Sequence, residues 1–335
     1  MSLTSTSTLT LPDGRLVRAT EPVVISASRA TDIPAFFAEW FANRLQAGYC
    51  AWVNPFNAQQ RMYVSFARTR VFVFWSKNPK PLLRYLPLLD ERGLGYYFQY
   101  TLNDYDAEGL EPGVAPLEQR VRTFLDLADK LGPQRVVWRF DPLITGPNLP
   151  PEELLARIHR LALRLRGATH KLVFSFADIA AYRKVQNNLK KSGPDYRELT
   201  LAEMHRIAQG LQQLQRETGL QVSSCSERID LQAYSITHNR CVDDELMAEL
   251  FPHDRALMQA LGRGQEDLFG MGSASAPKDP GQRTECGCIV SKDIGSYDTC
   301  PHLCTYCYAN ASPQTVLKKF ARRDPLAECM IEYEG

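Results

Sequence analysis

The feature that most constrains this chain is an alternation. Between residues 23 and 225, short runs of β-branched and aromatic residues are separated by longer stretches whose apolar residues recur at helical spacing. The seven runs are Val23 to Ser26, Tyr49 to Val53, Val71 to Trp75, Tyr96 to Tyr100, Val136 to Phe140, Leu172 to Phe176 and Gln221 to Ser224. Between Pro116 and Gly132, the residues Leu117, Val121, Phe124, Leu125, Ala128 and Leu131 predict one helical stripe, and Gly132-Pro133 ends it. Thr200 and Glu203 predict a capping box, followed by Leu201, Met204, Ile207, Ala208, Leu211 and Leu214. Further helices are expected after Asp32-Ile33-Pro34 and Pro150-Pro151, and a weaker one over residues 80–92 with a kink at Pro87. This rhythm predicts an α/β fold, a (β/α) barrel of TIM type, complete or partial. The eighth strand is expected in the C-terminal third or is absent. With 44% hydrophobic residues the chain can bury such a core, and it has no apolar run long enough to cross a membrane. The expected division is an N-terminal extension (1–22), the barrel (23–261) and a cysteine-rich segment (262–335) packed on the barrel mouth.

Polar residues follow the strands: Ser26, Ser28 and Arg29; Asn54; Ser76, Lys77 and Asn78; Thr101 and Asn103; Arg139 and Asp141; Ser175 and Asp178; Cys225 and Glu227. In a parallel barrel the C-terminal strand ends share one face, and the active site sits there. A single Ser, Asn or Asp in such a place is more simply a turn or cap residue. Arg29, Lys77, Arg139, Asp141 and Glu227 are the candidate catalytic groups, because long charged side chains beside buried strands need a partner or a ligand. Asn54 is a candidate cofactor contact.

Five of the nine cysteines, Cys286, Cys288, Cys300, Cys304 and Cys307, fall within residues 286–307. They lie in a segment rich in Gly, Ser, Pro and Asp that begins near residue 262, and a loop of that length is usually functional or held by a ligand. Crowded thiols in a reducing compartment indicate metal rather than disulfides. Three thiolates spaced four and three residues apart, at 300, 304 and 307, converge from one tight loop and suit soft metals or an iron–sulfur cluster. Cys286 or Cys288 is available to close that site, or the pair joins Cys225 and Cys241 in a second, auxiliary cluster. The competing reading is a structural Cys₄ zinc site.

The run TCPHLCTYCYAN at 299–310 resembles the cluster-binding loop of the radical S-adenosylmethionine (SAM) superfamily, and especially its spore photoproduct lyase branch, with Tyr306 in the aromatic place beside the cofactor. The resemblance implies a four-iron, four-sulfur cluster with one open iron, to which SAM binds before electron transfer cleaves it to a 5′-deoxyadenosyl radical. In that superfamily the loop usually follows the first strand, whereas here it lies within the last forty residues. Over a longer span the chain resembles a bacterial family catalogued as a domain of unknown function. This rests on ISASRATDIP (25–34), NPFN (54–57), VFWSKNP (73–79), YYFQYTLN (96–103), RVVWRFDP (135–142), CSE (225–227), KDPGQRTECGC (278–288) and SKDIGSYDTCPHLCTYCYAN (291–310).

The expectation is therefore a cytoplasmic, radical-SAM-like enzyme with one four-iron cluster, or two, supplied with electrons by a flavodoxin or ferredoxin and acting on an unassigned substrate. The alternatives are a non-catalytic iron–sulfur or zinc protein, and a nucleic-acid repair or modification enzyme. A formal charge of +1, from 39 basic and 38 acidic residues, gives little for a nucleic acid to bind. Lys318, Lys319, Arg322 and Arg323 are the basic residues such an enzyme would use, though a solvated helix face explains them as well.

Overall fold

The computed structural model describes residues 2–54, 57–193, 195–263 and 276–331. Its strands are β1 (Thr4–Thr10), β2 (Leu16–Pro22), β3 (Val24–Ala27), β4 (Tyr49–Asn54), β5 (Asn57–Ser65), β6 (Val71–Ser76), β7 (Gly95–Thr101), β8 (Val136–Leu143), β9 (Lys171–Phe176), β10 (Gln221–Ser224), β11 (Thr237–His238) and β12 (Lys292–Asp293). Eight of them form one sheet in the order β11-β10-β9-β8-β7-β6-β3-β12, and every pairing in it is parallel. Among the described residues the sheet is open, ending at β11 and β12, so the architecture is mixed α/β and the closed barrel that the rhythm allowed is not found. Both edge strands are only two residues long.

Six of the seven expected strands lie in this sheet. The exception is Tyr49–Asn54, which pairs antiparallel with β5 in a second sheet of order β1-β2-β5-β4. The reason is connection length: the chain turns back at once, with Asn54 opposite Asn57, whereas a parallel partner needs a crossover of roughly a dozen residues. The N-terminal segment contributes β1 and β2 to the same sheet, as a hairpin whose alternation of Thr and Ser carries no apolar signal.

The period of two along each parallel strand sorts side chains onto two faces. Phe72, Phe74, Phe98, Tyr100, Trp138 and Phe140 enter the larger core, together with the helices Leu117–Leu131, Pro151–Arg164 and Leu201–Thr218. Val71, Val73 and Tyr97 face the other way and are covered by Cys241, Val242, Met247, Leu257, Cys286, Cys288 and Ile289. Parallel strands buried on both faces in this way read as continuous apolar runs. The Thr200–Glu203 capping box forms as expected. The predicted helical stripes are too wide at one position each, since Leu125 and Leu201 are exposed. Over residues 80–92 a 3₁₀ segment (Lys80–Tyr85) passes into a short helix (Leu86–Asp90) with Pro87 in its first turn.

The C-terminal residues bind the helix Ala38–Ala47 and strand β4. Trp40 Nε1 donates to the Ala327 carbonyl (3.0 Å), the Ala51 N–H to the Glu328 carbonyl (2.9 Å) and the Tyr49 hydroxyl to the Glu328 carboxylate (2.7 Å). Among the described residues, no helix is long and apolar enough to cross a membrane.

Candidate metal centre

A parallel strand, however short, sets the end of the sheet at which the following loop emerges. β12 pairs Lys292 with Ile25 and Asp293 with Ser26, so residues 294–310 leave the sheet at the C-terminal end of β3. The cysteine loop thus reaches the strand C-termini although it comes last in sequence. Asp293 holds this junction by accepting from Ser26 Oγ (2.9 Å) and the Arg29 N–H (2.8 Å). Gly113 allows the loop to lie against the segment after β7: its N–H donates to the His302 carbonyl (2.9 Å), and a Cβ there would stand 2.1 Å from the Pro301 carbonyl oxygen.

Two buried carboxylates anchor the loop. Asp32 accepts from Ser76 Oγ (2.8 Å) and the Lys77 N–H (2.7 Å), and pairs with His302 Nε2 at 2.8 Å. Glu111 meets Lys77 Nζ (2.7 Å), Asn103 Nδ2 (2.9 Å) and the Tyr306 hydroxyl. Burial alone would raise the Glu111 pKa, but the Lys77 and Arg120 charges hold it down to about 2. Burial likewise works against the Lys77 charge, yet Glu111 raises the ammonium above its ordinary value. Lys77 is therefore a fixed cation among the thiols of the loop.

All three thiols are drawn up by burial, Cys300 to about 12 and Cys304 well above its ordinary value. Opposing this, nearby backbone N–H groups, of His302 and Asp32 at Cys300 and of Ala309 and Asn310 at Cys307, draw these two thiols back down. Such N–H bonds favour the thiolate, and hydrogen bonds to ligand sulfurs are among the levers that tune iron–sulfur clusters. As placed, no three His, Cys, Asp or Glu side chains among the described residues close on one ion. The donor set nevertheless suits a cluster: three sulfurs on one loop, backbone N–H groups near two of them, and a buried lysine to offset charge.

The remaining expected residues divide. Arg139, on β8, donates to Asp141 (3.1 Å), Gln99 Oε1 (3.2 Å) and Cys241 Sγ (2.9 Å), and Asp141 also accepts from the Ser175 hydroxyl. Glu227 accepts the Phe176 N–H (2.8 Å), and burial pushes its carboxyl up to about 8. It borders an open cleft of about 520 Å³ lined by His238, Asn239, Lys278 and Cys286. Arg29 stacks over Trp75 at 5.4 Å and feels the Cys288 and Cys241 sulfurs and Asp293. Cys225 and Cys241 touch at 3.5 Å between sulfurs, and with Cys286 and Cys288 they belong to a buried cluster that does not include the cysteines of the 300–307 loop. Asn54 instead bonds Gln60 (2.6 Å) in the second sheet, a consequence of the β4 pairing. Of the basic C-terminal group, Lys319 is 3.5 Å from Asp298 and Arg323 stacks on Phe320 at 3.9 Å. Pro55, Phe56 and residues 264–275, part of the long loop read from sequence as functional, lie outside the described residues.

Sequence reading missed Glu111, Gln99 and Asp293, and took Asp32 only as the start of a helix. Glu111 lies in a turn-rich stretch with no strand before it to mark it, and Asp293 ends a strand too short to read.

No curated protein and no solved structure matches the chain. The sequence model of a family described as "Domain of unknown function (DUF1848)" matches residues 24–309, which span β3 through the whole cysteine loop, and the chain belongs to that family.

Proposed function

We propose that the protein is a radical-SAM-like iron–sulfur enzyme whose cluster is held by Cys300, Cys304 and Cys307. One observation carries this reading: β12 delivers that loop to the C-terminal edge of a parallel α/β sheet, the edge at which open α/β folds bind ligands. A four-iron cluster with an open iron, when bound, supplies one-electron reduction to a bound sulfonium cofactor. The chain's own residues do the rest. Lys77 offsets the negative charge of the thiolates, and the Asp32–His302 and Glu111–Tyr306 contacts hold the loop's register. Arg139 and Asp141, with the partly buried Arg29, present fixed charges at the same edge for the carboxylate and amino groups of a cofactor or substrate. A small electron-transfer protein such as a flavodoxin or ferredoxin would supply the electron, and the compartment is the reducing cytoplasm.

The test is anaerobic purification and reconstitution with iron and sulfide, then electron paramagnetic resonance of the reduced protein with and without SAM, followed by assay for 5′-deoxyadenosine. Four irons on the 300–307 loop and a spectrum that moves on adding SAM are expected. A cluster indifferent to SAM would remove the enzyme and leave an electron carrier, and zinc in place of iron would remove the cluster.

A further inference from the structure

Four cysteines that the proposed cluster does not use meet on the sheet face opposite the helices Leu117–Leu131, Pro151–Arg164 and Leu201–Thr218. Cys225 follows β10, Cys241 follows β11, and Cys286 and Cys288 return from the C-terminal segment. Cys225 and Cys241 lie 3.5 Å apart between sulfurs, and Cys241, Cys286 and Cys288 are buried in one cluster that Cys225 packs against. Three stretches of chain thus bring four of the nine cysteines into one cluster, a grouping that isolated buried thiols have no reason to make. We propose that these four thiolates bind a single tetrahedral zinc ion, independently of the cluster on the 300–307 loop.

Spacing selects the ion. Four sulfurs about 2.3 Å from one zinc lie about 3.8 Å from each other, close to a van der Waals contact. A four-iron cluster binds each cysteine to a different iron and holds the sulfurs much farther apart. The 3.5 Å separation of Cys225 and Cys241 therefore matches one shared ion. As placed, the four sulfurs do not close on one ion, so binding requires these side chains to rearrange.

Hydrogen-bond donors are aimed at two of the sulfurs. Cys241 Sγ receives Arg139 Nη1 (2.9 Å) and Asn239 Nδ2 (3.2 Å), and Cys288 Sγ receives the Val242 N–H (3.4 Å). The Cys241 carbonyl is pinned from the sheet by the Tyr97 hydroxyl (2.7 Å) and Gln99 Nε2 (3.0 Å). Arg139, paired with Asp141, and Arg29, paired with Asp279, place guanidinium groups beside the sulfurs. The open cleft at Cys286 gives the ion a route in. The site would tie the ends of β10 and β11 to the C-terminal segment that covers this face, and so fix the approach to β12.

The test uses the full chain with Cys300→Ser, Cys304→Ser and Cys307→Ser, which removes the loop ligands. Zinc near one equivalent per chain is expected, and replacement by cobalt should give the intense visible bands of tetrahedral thiolate coordination. Adding Cys288→Ser should weaken zinc binding at least tenfold. Four freely reactive thiols without metal, the mass loss of a disulfide, or iron with acid-labile sulfide at this site would each overturn the proposal. Should the triple variant not fold, the otherwise native chain with Cys225→Ser and Cys288→Ser replaces it. That chain should lose one equivalent of zinc and keep its reconstituted iron, and loss of both or of neither would overturn the proposal.

Discussion

At the scale of single residues, Glu111 is the group on which the cysteine loop turns. Its carboxylate is fully buried and shared by Lys77, Asn103, Arg120 and Tyr306. Its pKa lies near 2 in the fold against an ordinary 4.5, so its stabilisation is present above pH 4.5 and is lost as pH falls through about 2. Glu111→Gln leaves Lys77 buried without its counter-charge and should cost about 3–5 kcal/mol at neutral pH. Urea unfolding across pH should show the gap between variant and native chain narrowing from pH 5 towards pH 2. A gap that stays constant would mean the carboxylate is not held low. Gly113 is the second such residue. In Gly113→Ala the new methyl meets the backbone of Pro301 and His302, so the loop must move. The expected result is a several-fold drop in reconstituted iron with the circular dichroism of the native fold. Full iron loading in that variant would show that loop position is unimportant to the centre.

At the scale of elements, local signals were read well where they were long and repetitive. The helix Leu201–Thr218 carries its cap, its apolar stripe and its stop at Gly219 in one continuous stretch. Thr200→Ala should lower stability by about 1 kcal/mol and leave metal content unchanged, which makes it a control for the loop variants. Loss of iron in that variant would indicate a coupling between this helix and the loop that no contact explains. Strands were legible as strands, but their partners were not. Tyr49–Asn54 has the composition of its neighbours and pairs elsewhere because of the turn that follows it. β12 has two residues, too few for any periodicity, yet it decides where the cysteine loop emerges.

At the scale of the whole molecule, the chain's late residues complete what its early ones begin. The tail around Glu328 bonds Tyr49, Arg61 and the backbone of Ala51, and the Trp40 indole ends on Ala327. Deleting residues 324–335 removes these contacts to the helix Ala38–Ala47 and the second sheet, and the melting temperature should fall by several degrees at least. An unchanged melting temperature would show them to be dispensable. The same closure holds at the candidate centre, where Ser26 and Asp293 are 267 residues apart in sequence and 2.9 Å apart in space.

Much of the candidate site was visible in the residues: the three cysteines at 300, 304 and 307, Lys77, Arg139 and Asp141 all stand out by type and position. Asn54 was misplaced because β4 left the parallel sheet, and Glu111 was invisible because a lone acid in a turn carries no pattern. The sequence by itself determined the alternation of strands and helices, the parallel sheet it builds and the loop that carries the cysteines, since these depend on composition and period within a few tens of residues. Only the tertiary structure decided that the sheet ends at β11 and β12, that the last loop returns to β3 and that Cys225, Cys241, Cys286 and Cys288 share one cluster. Those outcomes depend on contacts between segments up to a few hundred residues apart, where side-chain packing and a two-residue pairing, not local pattern, set the geometry.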